Sequence, residues 1–294
     1  MSREKRRLFL IGSRGFLGSY AAQAAMAHFE VIEGNRSATE RPGVVVDISE
    51  EDSVRTSFQT ARPDVVALFS AISDIDRCQQ FPEEAKAVNL RGAEHVADAC
   101  ARSNVRLLFI STGAVFDGNK HGYTEVDPVS PVSVYGETKA MAEESVLALG
   151  SSAIVLRIAL AIGFAAHSRT NSLLDNLRTK WSSGKVVALP VHEQRNPIDA
   201  VTASRFMLEL LRRTDAHGIF HLGCADSITR YDLGLKLAAR MGYSGLVEPQ
   251  LAPVPGRAPR GPDHYLLTDK LRAVSGIPIP TCEQVIERCF DVAA

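Results

Sequence analysis

Leu8-Phe9-Leu10-Ile11-Gly12-Ser13-Arg14-Gly15-Phe16-Leu17-Gly18 is the stretch that decides the fold. Four apolar residues without alternation predict a strand covered by helices on both faces. The glycines that follow, spaced GxxGxxG, stand where this strand hands over to a helix whose apolar pattern begins at Phe16. Each plays a steric part. Gly12 permits the tight turn, Gly15 lets backbone approach a phosphate, and Gly18 lets helix pack closely on strand. A helix N-terminus at the same place attracts anions. The stretch therefore predicts the first βα unit of a dinucleotide-binding sheet, with Gly12, Arg14, Gly15, Phe16, Leu17 and Gly18 against the cofactor.

Outward from this unit, short β-rich runs alternate with helical patterns. Strands are expected at 7–13, 30–35, 43–48, 65–71, 106–112 and 153–162, and helices at 16–28, 52–61, 82–102 and 133–149. Such alternation is the signature of an α/β, Rossmann-type doubly wound parallel sheet. After Gly163 the pattern loosens into a polar helix at 172–183, a strand near 186–189, a helix at 200–213 and a strand near 219–222. A helix near 231–241, a Pro/Gly-rich segment at 253–262 and two closing helices follow. The expected division is a dinucleotide-binding domain over 1–163, with returning segments near 186–223, and a smaller C-terminal substrate lobe drawn mainly from 164–294.

The 294 residues are 45% hydrophobic and 23% charged with a net charge of −1, a globular composition with no bias toward nucleic acid. No stretch approaches the roughly 20 apolar residues of a membrane span. The apolar run after the basic start ends at Gly12, too short for an export signal, so a soluble, cytoplasmic protein is expected. Cys78, Cys100, Cys224, Cys282 and Cys289 lack paired metal-ligand spacing and read as reduced, buried thiols, with no metal expected.

The second strand ends in Glu33-Gly34-Asn35-Arg36-Ser37. Glu33 stands early for a ribose-binding carboxylate, whereas Arg36, with Arg14, offers charge-assisted hydrogen bonds to a 2′-phosphate. This favours NADP(H), with NAD(H) as the alternative, and places Asn35, Arg36 and Ser37 at the cofactor. Asp47 and Ile48 after the third strand, Ser70, Ala71 and Ile72 closing the fourth, and Tyr135 and Lys139, the latter at the nicotinamide ribose, complete the expected contacts.

The candidate chemistry lies in Tyr135-Gly136-Glu137-Thr138-Lys139, where phenol and ammonium share one face at i, i+4. An unperturbed phenol titrates near about 10, and a neighbouring ammonium is expected to lower it. Tyr135 then serves as the acid that protonates a carbonyl oxygen during hydride transfer, Lys139 as its electrostatic partner, and Thr112, at the end of the fifth strand, as a hydrogen-bond donor to the same oxygen.

With these residues in place the chain resembles an extended short-chain dehydrogenase/reductase of the dTDP-4-dehydrorhamnose reductase type. The family's S-T-D-Y-V-F-D-G stretch corresponds to Ser111 through Gly118, and the pattern continues through Tyr123, Glu125, Asp127, Pro131, Tyr135 and Lys139. Val155-Leu156-Arg157, Pro197-Ile198-Asp199, Gly218 through Leu222, Arg260 and Thr268 through Leu271 follow it further. The resemblance implies an NADP-dependent oxidoreductase that reduces the keto group of a nucleotide-linked deoxysugar. An epimerase or dehydratase, or a non-catalytic NADP-binding subunit, is the alternative, and a homodimer is compatible with either. The chain departs from the family at Gly113-Ala114, which replace Asp-Tyr, and at 158–162, where apolar residues replace polar and aromatic ones. Asn171, Asn176, Arg178, Lys180 and Trp181 are candidates for the cleft wall.

Overall fold

The computed structural model describes residues 5–37, 43–166 and 171–291; of the basic start at 2–7, residues 2–4 lie outside them. The first half runs β1 (Arg7–Ile11), α1 (Phe16–Ala25), β2 (Glu30–Asn35), β3 (Val44–Val45), α2 (Glu51–Ala61), β4 (Val65–Leu68), α3 (Ile75–Gln80), α4 (Pro82–Ala85), a π-helical turn (Lys86–Arg91), α5 (Gly92–Ser103), β5 (Arg106–Thr112), α6 (Val134–Leu147) and β6 (Ala153–Ile158). The second half continues with β7 (Leu160–Ile162), α7 (Leu173–Ser182), β8 (Val187–Pro190), β9 (Gln194–Arg195), β10 (Pro197–Asp199), α8 (Ala200–Arg212) and β11 (Gly218–Leu222). It closes with β12 (Ile228–Thr229), α9 (Arg230–Arg240), β13 (Val247–Gln250), β14 (Asp263–His264), α10 (Asp269–Ser275) and α11 (Cys282–Asp291).

Seven strands pair in the order β11-β6-β5-β4-β1-β2-β3, every pair parallel. Chain order reverses between β1 and β4, so the connections leave on opposite sides and open a crevice at the carboxyl ends of these strands. The unalternating strand β1 has its explanation in the two cores: Leu8 and Leu10 pack on one face and Phe9 and Ile11 on the other. Each such burial contributes about 1.5–3 kcal/mol. Among the described residues no helix is long and apolar enough to cross a membrane.

Two expected elements are interrupted. The helix expected at 82–102 breaks into α4, the π turn and α5. The extra residue of the π turn aims Asn89 inward, in keeping with π turns at functional sites. The strand expected at 153–162 divides at Ala159: β6 stays in the main sheet, while β7 pairs with β10. The cysteines carry free, buried thiols, but Cys282 meets Cys224, Sγ to Sγ at 3.0 Å, a pairing invisible in sequence spacing.

Candidate active site

The glycine turn crosses the end of β1. Gly12 has φ +91°, and a Cβ there would lie 2.7 Å from the Ser70 amide nitrogen. Its own N–H donates to the Gly34 carbonyl at 2.7 Å, which ties the turn to β2. At Gly18 a Cβ would lie 2.1 Å from the Gly12 carbonyl oxygen, so α1 packs on the turn as the glycine spacing predicts. Gly15 caps α1 without a side-chain hydrogen bond, and the first helical turn, which contains Phe16, Leu17 and Gly18, carries no acidic residue. Its N–H groups and dipole are open to an anion.

The residues after β2 are partly committed to the turn itself. The Ser13 hydroxyl donates to Glu33 Oε2 at 2.8 Å, Asn35 Nδ2 donates to Ser13 Oγ at 2.7 Å, and the Arg14 N–H donates to Asn35 Oδ1 at 3.1 Å. Glu33 is thereby engaged as a latch. Arg14 and Ser37 are exposed beside it. Exposed Arg36 pairs with Asp47 at 2.9 Å. Hydrogen bonds from Ser49, with help from Arg36, hold the Asp47 carboxyl below the usual carboxylate range against a smaller effect of burial. Ile48 belongs to the core: its side chain would meet a Cβ at Gly92 at 2.8 Å, and its carbonyl contacts His95. Ser70 and Ala71 are half-buried at the end of β4. Ile72 is clamped there by Asn89, which sequence reasoning missed. Asn89 Oδ1 accepts from the Ile72 N–H at 2.8 Å, and Nδ2 donates to the Ile72 carbonyl at 3.0 Å and to Thr138 Oγ1 at 3.4 Å.

Thr112 ends β5 and accepts from the Ala114 N–H at 3.1 Å, capping a short 3-10 turn over Gly113–Val115. Ser133 caps α6 by accepting from the Gly136 N–H at 3.2 Å. A Cβ on Gly136 would lie 2.1 Å from the Ala114 carbonyl oxygen, so the first turn of α6 lies directly on the turn that follows Thr112. This packing brings the Tyr135 phenol to the Thr112 hydroxyl.

The electrostatics correct the sequence argument. Burial pushes the phenol up to about 12, with the Thr112 hydroxyl opposing. Burial likewise pushes Lys139 down to about 7, with Glu143 opposing. Desolvation wins because the ammonium, 2% exposed, lies 3.8 Å from the centroid of the Phe109 ring and is itself poorly charged.

A cleft of about 620 Å³ opens beside these residues. Thr112, Ala114, Ser133, Ala159, Leu160 and Ala161 line it together with Arg195, Arg230, Arg257 and Arg260. Asn171, Asn176 and Lys180 join the wall as anticipated. Trp181 is instead a packing anchor whose Nε1 donates to the Leu246 carbonyl at 3.0 Å. Arg178 pairs with Asp175. Asp76 accepts from both Arg260 and Arg257 and from the Ala258 N–H. Burial alone would raise its carboxyl, but these partners hold it at about 2. Arg230 and Lys180 have no side-chain partner among the described residues.

A doubly wound sheet, a glycine turn at its switch point and a Tyr-Lys pair one helical turn apart define the extended short-chain dehydrogenase/reductase class. Within it, the chain belongs to the family described as RmlD substrate binding domain, whose model matches residues 6–294. The dTDP-4-dehydrorhamnose reductase of Aggregatibacter actinomycetemcomitans is 28% identical over 236 residues, covering 79% of this chain and 78% of that protein. Methionine adenosyltransferase 2 subunit beta of Xenopus laevis is 26% identical over 241 residues, covering 79% of this chain and 71% of that protein. A crystal structure of dTDP-4-dehydrorhamnose reductase from Bacillus anthracis in complex with NADP superposes with TM-score 0.88 at 20% identity, covering 98% of this chain and 99% of that one.

Proposed function

We propose that the protein is an NADP(H)-dependent oxidoreductase that reduces a keto group on a nucleotide-linked deoxysugar. The observation that carries this reading is one cleft whose wall includes Thr112, the hydroxyl that meets the Tyr135 phenol, together with two cations, Arg230 and Lys180, that have no side-chain partner among the described residues. Such cations suit the phosphates of a nucleotide-linked substrate. The reductase named among its relatives supports the same reading.

The dinucleotide fits the residues present: the Gly12 turn has no room for side chains, and the uncapped N-terminus of α1 faces the crevice end of the sheet. Gly12, Gly15 and the first turn of α1 would hold its pyrophosphate, and Arg14 and Arg36 its 2′-phosphate. When bound, the nicotinamide supplies hydride. Thr112 orients the carbonyl oxygen, and the phenol, fully protonated at neutral pH with its pKa raised to about 12, gives that oxygen a proton. The resulting phenolate is costly in a dry site, so the reaction draws on a charged Lys139 one helical turn away. Ala114, Ala159, Leu160 and Ala161 give the cleft an apolar share of its wall, which favours a hydroxyl-poor ring because each unpaired buried hydroxyl costs about 1–3 kcal/mol.

The test is NADPH consumption against a panel of nucleotide-linked 4-keto-6-deoxy sugars, with simple ketones as controls. Turnover of a nucleotide-linked ketone, lost in Tyr135→Phe while NADPH binding persists, is expected. An active Tyr135→Phe variant would overturn the mechanism. NADPH binding without turnover of any keto sugar would overturn the catalytic reading in favour of a nucleotide-binding subunit.

A further inference from the structure

Resting on the reductase reading, we propose that Glu143 is a positioning residue for the Lys139 ammonium, and that Arg157 sets how much of the Glu143 charge the ammonium receives. Glu143 stands one turn beyond Lys139 on α6 and is 2% exposed. Both of its oxygens are taken. Arg157 Nε donates to Oε1 at 3.0 Å and to Oε2 at 3.1 Å, and Arg157 Nη2 donates to Oε2 at 2.6 Å. The Ser111 hydroxyl donates to Oε1 as well. Lys139 therefore feels the carboxylate through space while its head rests on the Phe109 ring.

The charges in this dry volume do not balance. Arg157 and Glu143 cancel, which leaves the Lys139 ammonium as the excess positive charge and the cheapest proton to lose. Nothing else nearby among the described residues compensates. His221, 3.4 Å from Arg157 Nη1, is pushed down to about 3 by burial and by Arg157, so it is neutral. The Tyr135 phenol is uncharged, and the Cys78 thiol that faces it is pushed up to about 11 by burial. Glu143 is also more than an ion-pair partner. It joins α6 to β5 through Ser111, the residue before Thr112, and to β6 through Arg157, so the element that carries the acid and the strand that carries its hydroxyl partner share one carboxylate.

The consequence is a pair of opposite shifts. Glu143→Gln keeps the shape but removes the negative charge, so the Lys139 titration midpoint falls. Arg157→Met keeps the stem and leaves Glu143 with Lys139 as its only cation, so the midpoint rises. An opposite charge within about 4–6 Å moves a midpoint by about 1–3 units, which bounds both shifts from above. Ser111→Ala, the mildest change, also frees carboxylate for Lys139 and raises the midpoint by less.

The experiment is a pH titration of the Lys139 side-chain carbon resonance in the ligand-free protein, assigned by its loss in Lys139→Met, together with the pH profile of kcat/KM. Midpoints that move down in Glu143→Gln and up in Arg157→Met and Ser111→Ala, with the alkaline limb of kcat/KM following, are expected. Midpoints that stay put while every variant merely loses stability would make Glu143 a structural brace and overturn the proposal. If the two larger variants fail to fold, an unmoved midpoint in Ser111→Ala overturns it. Opposite shifts without turnover of any keto sugar would leave the proposal standing and remove the reductase reading. Turnover with unmoved midpoints would do the reverse.

Discussion

Adding a single methyl group at Gly136 should uncouple the Tyr135 phenol from the Thr112 hydroxyl. In Gly136→Ala the new Cβ would lie 2.1 Å from the Ala114 carbonyl oxygen, 3.1 Å from its carbon and 3.0 Å from the Pro131 Cβ. Two of these three neighbours are backbone, so no rotamer relieves the clash. The helix and the 3-10 turn must separate by roughly 1 Å to reach an ordinary van der Waals distance. That displacement falls between Tyr135 and Thr112, and misplacement of this size costs about 100-fold in rate. Overpacking should also lower stability by about 1–3 kcal/mol. The glycine turn lies on other strands, so NADPH affinity should hold. The assay is kcat and KM with an active keto substrate, beside NADPH titration by fluorescence and thermal unfolding. A Gly136→Ala variant that folds and keeps kcat within about 3-fold of the parent would falsify the idea that close packing at this glycine sets the reacting geometry.

Gly18→Ala should act on the other half of the site, because its Cβ would lie 2.1 Å from the Gly12 carbonyl oxygen; NADPH titration should show affinity lost at least about tenfold, alongside a destabilisation of about 1–3 kcal/mol. Arg36→Ala should raise KM for NADPH while leaving KM for NADH nearly unchanged, and equal effects on both would remove Arg36 from 2′-phosphate recognition. Asp76 has a carboxyl held at about 2 in the folded protein, so its stabilising effect is present above the unfolded carboxyl range and is lost as pH falls from about 4 toward 2. Because this side chain is 42% exposed, the effect after solvent screening is about 1 kcal/mol or less. Denaturation of Asp76→Asn should show that loss at pH 7 and none at the acid end of the window.

How far the sequence could be read depends on whether a residue acts locally. The glycine turn is local, because its steric demands are written in three positions, and the strands expected at 30–35 and 106–112 have polar ends that the structure keeps as their bounds. Asn89 is hidden because no residue type in Lys86–Arg91 marks the π turn that buries it. Ala159 gives no local sign that the chain leaves one sheet for another; the partner strand that draws β7 away is β10, far along the chain. Glu143 looks like a solvated helix residue until Arg157 and Ser111 are brought to it from two strands. The mutual effect of phenol and ammonium escapes the sequence for a related reason: helical spacing reveals neighbours but says nothing about how dry their surroundings are.

The place of β11 beside β6 has a consequence for the chain as it leaves the ribosome. Six of the seven strands are complete once Ile158 has emerged, yet β6 remains an open edge until Gly218–Leu222 has been made and has threaded back alongside it. During that interval a nascent polypeptide displays an unpaired β ribbon, apolar at every position but Arg157, the kind of edge that recruits foreign strands. Chains stalled or truncated between β6 and β11 should therefore be prone to aggregation and in need of chaperone cover.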